Sequence, residues 1–228
     1  MSEVGDRFEA VAAAVRAAEC DAGREPGSVG LVAVSKRQPA RALAEAFEAG
    51  ARDFGESYVQ EMVAKREALR QLLGSAADAV RWHFIGHLQR NKVRDLGRVH
   101  LVHTVDSVRL LDALDARGTG VEGVLVQVNI GGESTKGGVE PEALAALLVA
   151  TAGQQTPIKG LMAIPPPRES VADSRGDFAQ LRTLRDQVRT PTLPLRELSM
   201  GMSSDFAAAV AEGATLVRVG TAIFGART

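Results

Sequence analysis

The chain has 228 residues, 45% apolar and 24% charged, with 27 Lys plus Arg against 28 Asp plus Glu and a net charge of -1. That length supports a sizeable core, and so even a balance supplies no global field to draw in nucleic acid or an anionic membrane. A single cysteine, Cys20, excludes an internal disulfide and a multi-cysteine zinc site and fits a reducing compartment.

In chain order, MSEVGDRFEAVAAAVRAAEC (1–20) reads as a charged amphipathic helix without the apolar stretch of a signal peptide. No later run approaches the ~18 apolar residues of a membrane span, so a cytoplasmic protein with no membrane partner is expected. Short β-like runs then alternate with helical patterns. The strand candidates are 29–36, 53–57, 80–87, 101–107, 123–130, 158–164, 197–201 and 216–225. Several are continuously apolar and rich in Val and Ile, as strands buried on both faces should be. Helical stretches such as ARALAEAFEAG (40–50) and DFAAAVAEG (205–213) end at Gly, the residue that most easily takes a left-handed C-cap.

Eight strands separated by helices imply right-handed crossovers and a parallel sheet. At about 28 residues per unit the pattern predicts an α/β fold, a single (β/α)8 TIM barrel over residues 1–228 with an extra N-terminal helix. A weak internal echo between EAGARDFGE (48–56) and AEGATLVRVG (211–220) supports a repeated unit. A doubly wound open sheet is the competing architecture, but its G-x-G-x-x-G fingerprint does not follow strand one. The PPPRESVADSRGD stretch (165–177) reads as a long loop.

In such barrels chemistry sits at the strand C-termini. Lys36 ends strand one after LVAVS, in a chain with only five lysines among its 27 basic residues. An ε-amine can lose its proton and attack a carbonyl to form a Schiff base, which guanidinium cannot; the plainer alternative is a surface lysine with its charge in water. A second signal lies at the carboxyl end. Strand seven runs into Ser199, Met200, Gly201, Met202, Ser203 and Ser204, and strand eight ends in Arg218, Val219, Gly220 and Thr221. Glycines let backbone N–H groups approach an anion, the Ser203 and Thr221 hydroxyls can donate, and a helix starting near Ser204 would offer its positive end; a helix cap with glycines for close packing is the alternative. An amine on strand one and a phosphate cradle on strands seven and eight become neighbours once the barrel closes. That pairing suits a phosphorylated aldehyde, of which pyridoxal 5′-phosphate is the commonest cofactor.

Weaker candidates remain. Asp106, Asn129 and Met162 lie near strand ends, and GGESTKGG (131–138) carries Lys136 but lacks P-loop order. The H-x-x-H of His100 and His103 puts its rings on opposite faces of a strand, so no metal is expected. Gln89–Lys92 reads as the solvated start of a helix.

At these positions the sequence resembles the YggS/PROSC family of pyridoxal phosphate homeostasis proteins. The shared segments are AVSK (33–36), FGESYVQE (54–61), WHFIGHLQRNK (82–92), HTVDS (103–107), GLMAI (160–164), LSMGMSSDF (198–206) and VRVGTAIFG (217–225). The resemblance implies a barrel like the N-terminal domain of alanine racemase, with the cofactor held as a Schiff base on Lys36. It implies phosphate contacts at Met202, Ser203, Gly220 and Thr221, with Arg218 near the pyridine ring or phosphate. The family usually has Asn where this chain has Ser57, whose shorter side chain offers one hydroxyl instead of an amide. The function implied is pyridoxal phosphate homeostasis by a monomer that passes the cofactor transiently to apo-enzymes, with no catalytic residue and no established turnover. A racemase-like enzyme of low activity is the alternative. It would need an acid/base group opposite the cofactor and a closing domain, and the chain ends three residues after strand eight.

Overall fold

The structure, a computed structural model, describes residues 2–117, 120–133, 137–166, 168 and 171–226. Helix α1 (Glu3–Asp21) begins where the Ser2 hydroxyl accepts the Gly5 N–H at 3.1 Å, a side-chain cap for a donor that no preceding turn can satisfy. Strand and helix then alternate: β1 (Gly30–Val34), α2 (Ala40–Glu48), β2 (Asp53–Glu56), α3 (Val59–Leu73) and β3 (Arg81–Phe84). A 3-10 turn, Arg90–Asp95, makes the crossover to β4 (Leu101–Val105), where the sequence predicts a helix. The second half continues with α4 (Val108–Arg117), β5 (Val124–Gln127), α5 (Leu144–Ala150), β6 (Ile158–Met162) and α6 (Val171–Val188). It ends with β7 (Glu197–Ser199), α7 (Phe206–Ala211), β8 (Leu216–Val219) and α8 (Thr221–Phe224).

All eight strands are parallel and hydrogen-bonded in chain order, and β8 closes the sheet on β1 from Gly30 opposite Leu216 to Ala33 opposite Val219. The expected (β/α)8 barrel with an added N-terminal helix is therefore the observed fold. Two apolar clusters hold the helices to its outside. Phe8, Leu43, Phe47, Phe54, Met62 and Trp82 pack the first half, and Val15, Leu144, Phe178, Leu181, Leu198 and Val217 the second. Each such buried side chain stabilises by roughly 1.5–3 kcal/mol.

The inside of the barrel is divided. Leu101, Leu125 and Met162 form a small apolar cluster. Beside it lie the buried polar side chains of Asp53, His83, His103, Ser199 and Arg218, which replace the branched apolar residues that usually fill such a core.

Two boundaries differ from the sequence-based expectation. The apolar run to 225 is not one strand: β8 stops at Val219, Gly220 turns the chain, and Ile223 and Phe224 are buried in α8 as it packs on α1. The stretch 165–177 is not loop throughout, because α6 starts at Val171, and Asp177 pairs with Arg168 at 2.7 Å on the way in. Among the described residues no helix is long and apolar enough to cross a membrane.

Candidate functional site

Strand periodicity sends alternate residues of β1 inward, so Val34 and Lys36 share a face. Both line a cavity at the C-terminal mouth of the barrel, together with Gln38, Ile85, Ile164, Met202, Ser203, Arg218, Gly220, Thr221 and Gly225. The structure thus brings together six of the eight predicted site residues: Lys36, Met202, Ser203, Arg218, Gly220 and Thr221. Met202 is 37% exposed at the rim, whereas Arg218 is buried.

The remaining two lie elsewhere. Met162 is fully buried below the cavity with Leu101 and Leu125, and Ile164, one strand period further on, lines the cavity in its place. Ser57 lines a neighbouring cleft with Tyr58, Gly86, His87, Gln89 and Lys92. Asn129 is buried and donates to Glu140 at 2.9 Å, and neither it nor Asp106 lines the cavity. Lys136 lies outside the described residues. Gln38 and Gly225 carried no signal in the sequence, because loops rather than strand periodicity bring them to the mouth. Val34 could have been found from its phase with Lys36.

The backbone on both sides of Lys36 is gripped by one buried ion cluster. Lys65, on α3, donates to the Ser35 carbonyl at 2.6 Å, to Glu56 at 2.7 Å and to Glu61 at 2.6 Å. Ser35 donates its hydroxyl to the same Glu56 oxygen, and Glu61 accepts the N–H of Arg37. Arg37 stands at φ 60°, a left-handed conformation costly for a residue with a side chain, so this bond holds a strained turn directly after Lys36. Burial pushes the Glu56 carboxyl up, against the lowering effect of Lys65 and Ser35. The three acceptors take up all three ammonium protons of Lys65.

Across the mouth, Arg218 donates to Ser199 Oγ at 2.5 Å and to the Ala163 carbonyl at 2.9 Å. Among the described residues no carboxylate pairs with it. Burial pushes the guanidinium down to about 10, against the raising effect of Asp205. A buried cation without a direct counter-charge favours an anion in the adjoining cavity. The loop after β7 differs from expectation in one respect. Helix α7 starts at Phe206 instead of Ser204, and the Asp205 carboxylate already accepts the Met202 N–H at 2.6 Å. Among the described residues, the N–H groups of Ser203 and Thr221 meet no acceptor of the chain, and both residues line the cavity. Gly201, at φ 91°, allows this loop: a Cβ there would sit 2.5 Å from that of Ala209. Gly220 lets the next turn pass close to β1, where a Cβ would meet the Val34 carbonyl oxygen at 3.1 Å.

Below the cavity, His83 and His103 touch at 2.9 Å, and their outer nitrogens meet Asp53 and Ser199. His100 packs edge-on against His83, with ring centroids 5.3 Å apart, and its Nδ1 lies 2.8 Å from Glu122. Among the described residues no group of three His, Cys, Asp or Glu side chains could hold a metal ion.

The profile of the alanine racemase N-terminal domain family matches residues 10–228. The pyridoxal phosphate homeostasis protein of Pseudomonas aeruginosa is 45% identical over 234 residues, covering 100% of this chain and 97% of that protein. The structure of PipY from Synechococcus elongatus with PLP bound superimposes with a TM-score of 0.82 at 37% identity, covering 98% of this chain and 100% of that one. Alanine racemase from Corynebacterium glutamicum shares the fold, with a TM-score of 0.65 at 18% identity, covering 96% of this chain and 62% of that one. By these matches, and by the lysine at the mouth of its barrel, the chain belongs to the pyridoxal phosphate homeostasis proteins, built on the alanine racemase N-terminal fold.

Proposed function

We propose that this chain is a single-domain cytoplasmic monomer that binds pyridoxal 5′-phosphate in the mouth cavity, tethers it reversibly to Lys36 and serves its homeostasis without catalytic turnover. The residues present fit the group. The N–H groups and hydroxyls of Ser203 and Thr221, with the uncompensated Arg218 behind them, suit a phosphorylated ring. When bound, the cofactor supplies an aldehyde carbon that the Lys36 amine can join as a Schiff base with release of water. Gly201 and Gly220 let the two loops of the rim pack closely on α7 and β1, and the Lys65 cluster keeps the Lys36 backbone in place.

One observation carries the non-catalytic part. Among the described residues lining the cavity, Lys36 and Arg218 are the only ionisable ones. Amino-acid racemisation needs a second acid/base group on the opposite face of the cofactor. None of three candidates stands in the cavity: His83 and His103 are buried beneath it, and Tyr58, the only tyrosine, is 51% exposed on the neighbouring cleft. A cavity so equipped can hold and release the aldehyde but lacks the proton traffic of turnover. Transient delivery to apo pyridoxal-phosphate enzymes follows from a tether that water can reverse.

The test is an absorbance titration with pyridoxal phosphate, then borohydride reduction and peptide mapping. Reduced adduct is expected on the peptide that carries Lys36. Lys36→Ala should lose the reducible adduct while retaining weaker, non-covalent binding at the intact anion cradle. Adduct on another lysine would move the tether. Interconversion of amino-acid enantiomers abolished by Lys36→Ala would overturn the non-catalytic part.

A further inference from the structure

Inside the barrel, four consecutive hydrogen bonds join the cavity to the opposite face. Arg218 Nη1 lies 2.5 Å from Ser199 Oγ, which lies 2.9 Å from His103 Nδ1. His103 Nε2 lies 2.9 Å from His83 Nδ1, and His83 Nε2 2.9 Å from Asp53 Oδ1. Asp53 begins β2, at the N-terminal end of the barrel, where Arg81 grips its carboxylate with two further bonds. All members except Arg81 are buried.

The chemistry of the two ends leaves one sense for the whole chain. Arginine can only donate, so Ser199 accepts from Arg218. An ionised carboxylate can only accept, so His83 carries its proton on Nε2. A neutral imidazole has one N–H, so His83 Nδ1 is bare and takes the Nε2 proton of His103. His103 Nδ1 is then bare as well, and the Ser199 hydroxyl hydrogen points at it. Every donor meets an acceptor only while both rings are neutral. An imidazolium at either position would make His103 donate to Ser199, which then accepts from both His103 and Arg218 while its own hydrogen loses its acceptor in the chain. Burial lowers both histidines and outweighs the raising effect of Asp53 on His83, and His100, beside His83, and Arg218, beside His103, oppose added positive charge.

We propose that Asp53, at the far end of the barrel, fixes the donor–acceptor sense of this chain and through it the placing of Arg218 at the cavity. Asp53, His83, His103 and Ser199 are on this account positioning residues. Ser199 turns a lone pair toward Arg218 because its hydrogen is claimed by His103, and the imidazoles claim it because Asp53 anchors the other end. Chains of this kind polarise one another, so the carboxylate acts as a remote counter-charge to the guanidinium. The inference rests on the assignment of Arg218 to the pyridoxal phosphate site, and its test separates the two.

Pyridoxal phosphate is titrated into the full-length protein, Asp53→Asn, Ser199→Ala and the double variant, with thermal melts to confirm folding. Asparagine offers a neutral oxygen and a donor where two acceptors stood, so the sense is no longer enforced. Asp53→Asn is expected to weaken binding roughly fivefold, the effect of one hydrogen bond. In the Ser199→Ala background, where the chain is already cut, it should change nothing further. An unchanged affinity in Asp53→Asn, or an equal loss with and without Ser199, overturns the proposal. Independently of the cofactor, nitrogen-15 shifts of His83 and His103 in the unliganded protein at pH 7 should show two neutral rings protonated at Nε2. A proton on Nδ1 of either, or an imidazolium, also overturns it. Failure of the unsubstituted protein to bind pyridoxal phosphate would sink the cofactor site and leave the nitrogen-15 result to decide the chain's sense.

Discussion

Arg37 is the residue at which local strain meets the mouth of the barrel. Its φ of 60° is held by a bond to Glu61, one of the three acceptors of Lys65, so the turn beyond Lys36 is set by an ion cluster and not by its own preference. Glycine takes that conformation without a Cβ penalty. Arg37→Gly should therefore be more stable than Arg37→Ala by about 1 kcal/mol, the reverse of the usual order of these residues. Urea unfolding of the two variants reads the difference, and alanine proving the more stable would show that the turn is not strained. Lys36 itself was legible in the sequence from its place at the end of an apolar strand and from the scarcity of lysine. Its support was not, because Glu56, Glu61 and Lys65 read only as charges on a strand end and a helix. Their partnership depends on α3 lying over β1 and β2.

At the scale of elements, several of the eight strands stood out because strands buried on both faces are written in runs of Val, Ile and Leu. Their ends were less visible. Ala222, Ile223 and Phe224 continue the apolar run of β8 yet wind into α8, since burial against α1 rewards either conformation and Gly220 decides. Met162 shows the same limit from inside. Periodicity placed it on the inward face but could not tell the barrel core from the cavity one layer above, where Ile164 stands. Helix α1 is joined to the barrel by a device no pattern announces. Buried Glu19 accepts the N–H groups of Gly27 at 2.8 Å and Val29 at 2.6 Å, where the chain enters β1. Glu19→Ala would leave two N–H groups without their acceptor and should cost roughly 2–4 kcal/mol. Chemical denaturation measures this loss, and a cost within 0.5 kcal/mol would mean that water replaces the carboxylate freely.

For the whole molecule, the polar thread inside the barrel ties stability to pH. Burial lowers His83 and lowers His103 further, whereas an unfolded chain titrates its imidazoles near 6.5. As the pH falls below that value the unfolded state binds protons that the native state refuses, so stability falls with it. The slope approaches ~1.4 kcal/mol per pH unit for each histidine. Asp53 acts in another window. Burial alone would raise its carboxyl, but hydrogen bonds from Arg81 and His83 hold it well below the usual range. Its contribution is present above the ordinary carboxylate value and is lost only in strong acid. Between pH 6.5 and 5.5 a loss of about 1–2 kcal/mol is expected from the histidines, and His103→Asn should reduce it by about half. Urea midpoints across that interval test this; a flat profile would show that the rings are charged in the folded state.

Closure of the sheet joins its first strand to its last, with Gly30 paired to Leu216. Contacts so distant along the chain form late, because a long loop must be ordered before they contribute. A growing polypeptide therefore exposes the open edge of β1 until β8 has been synthesised. The same final strand delivers Arg218, so the ring is completed and the cavity receives its buried cation in one folding event.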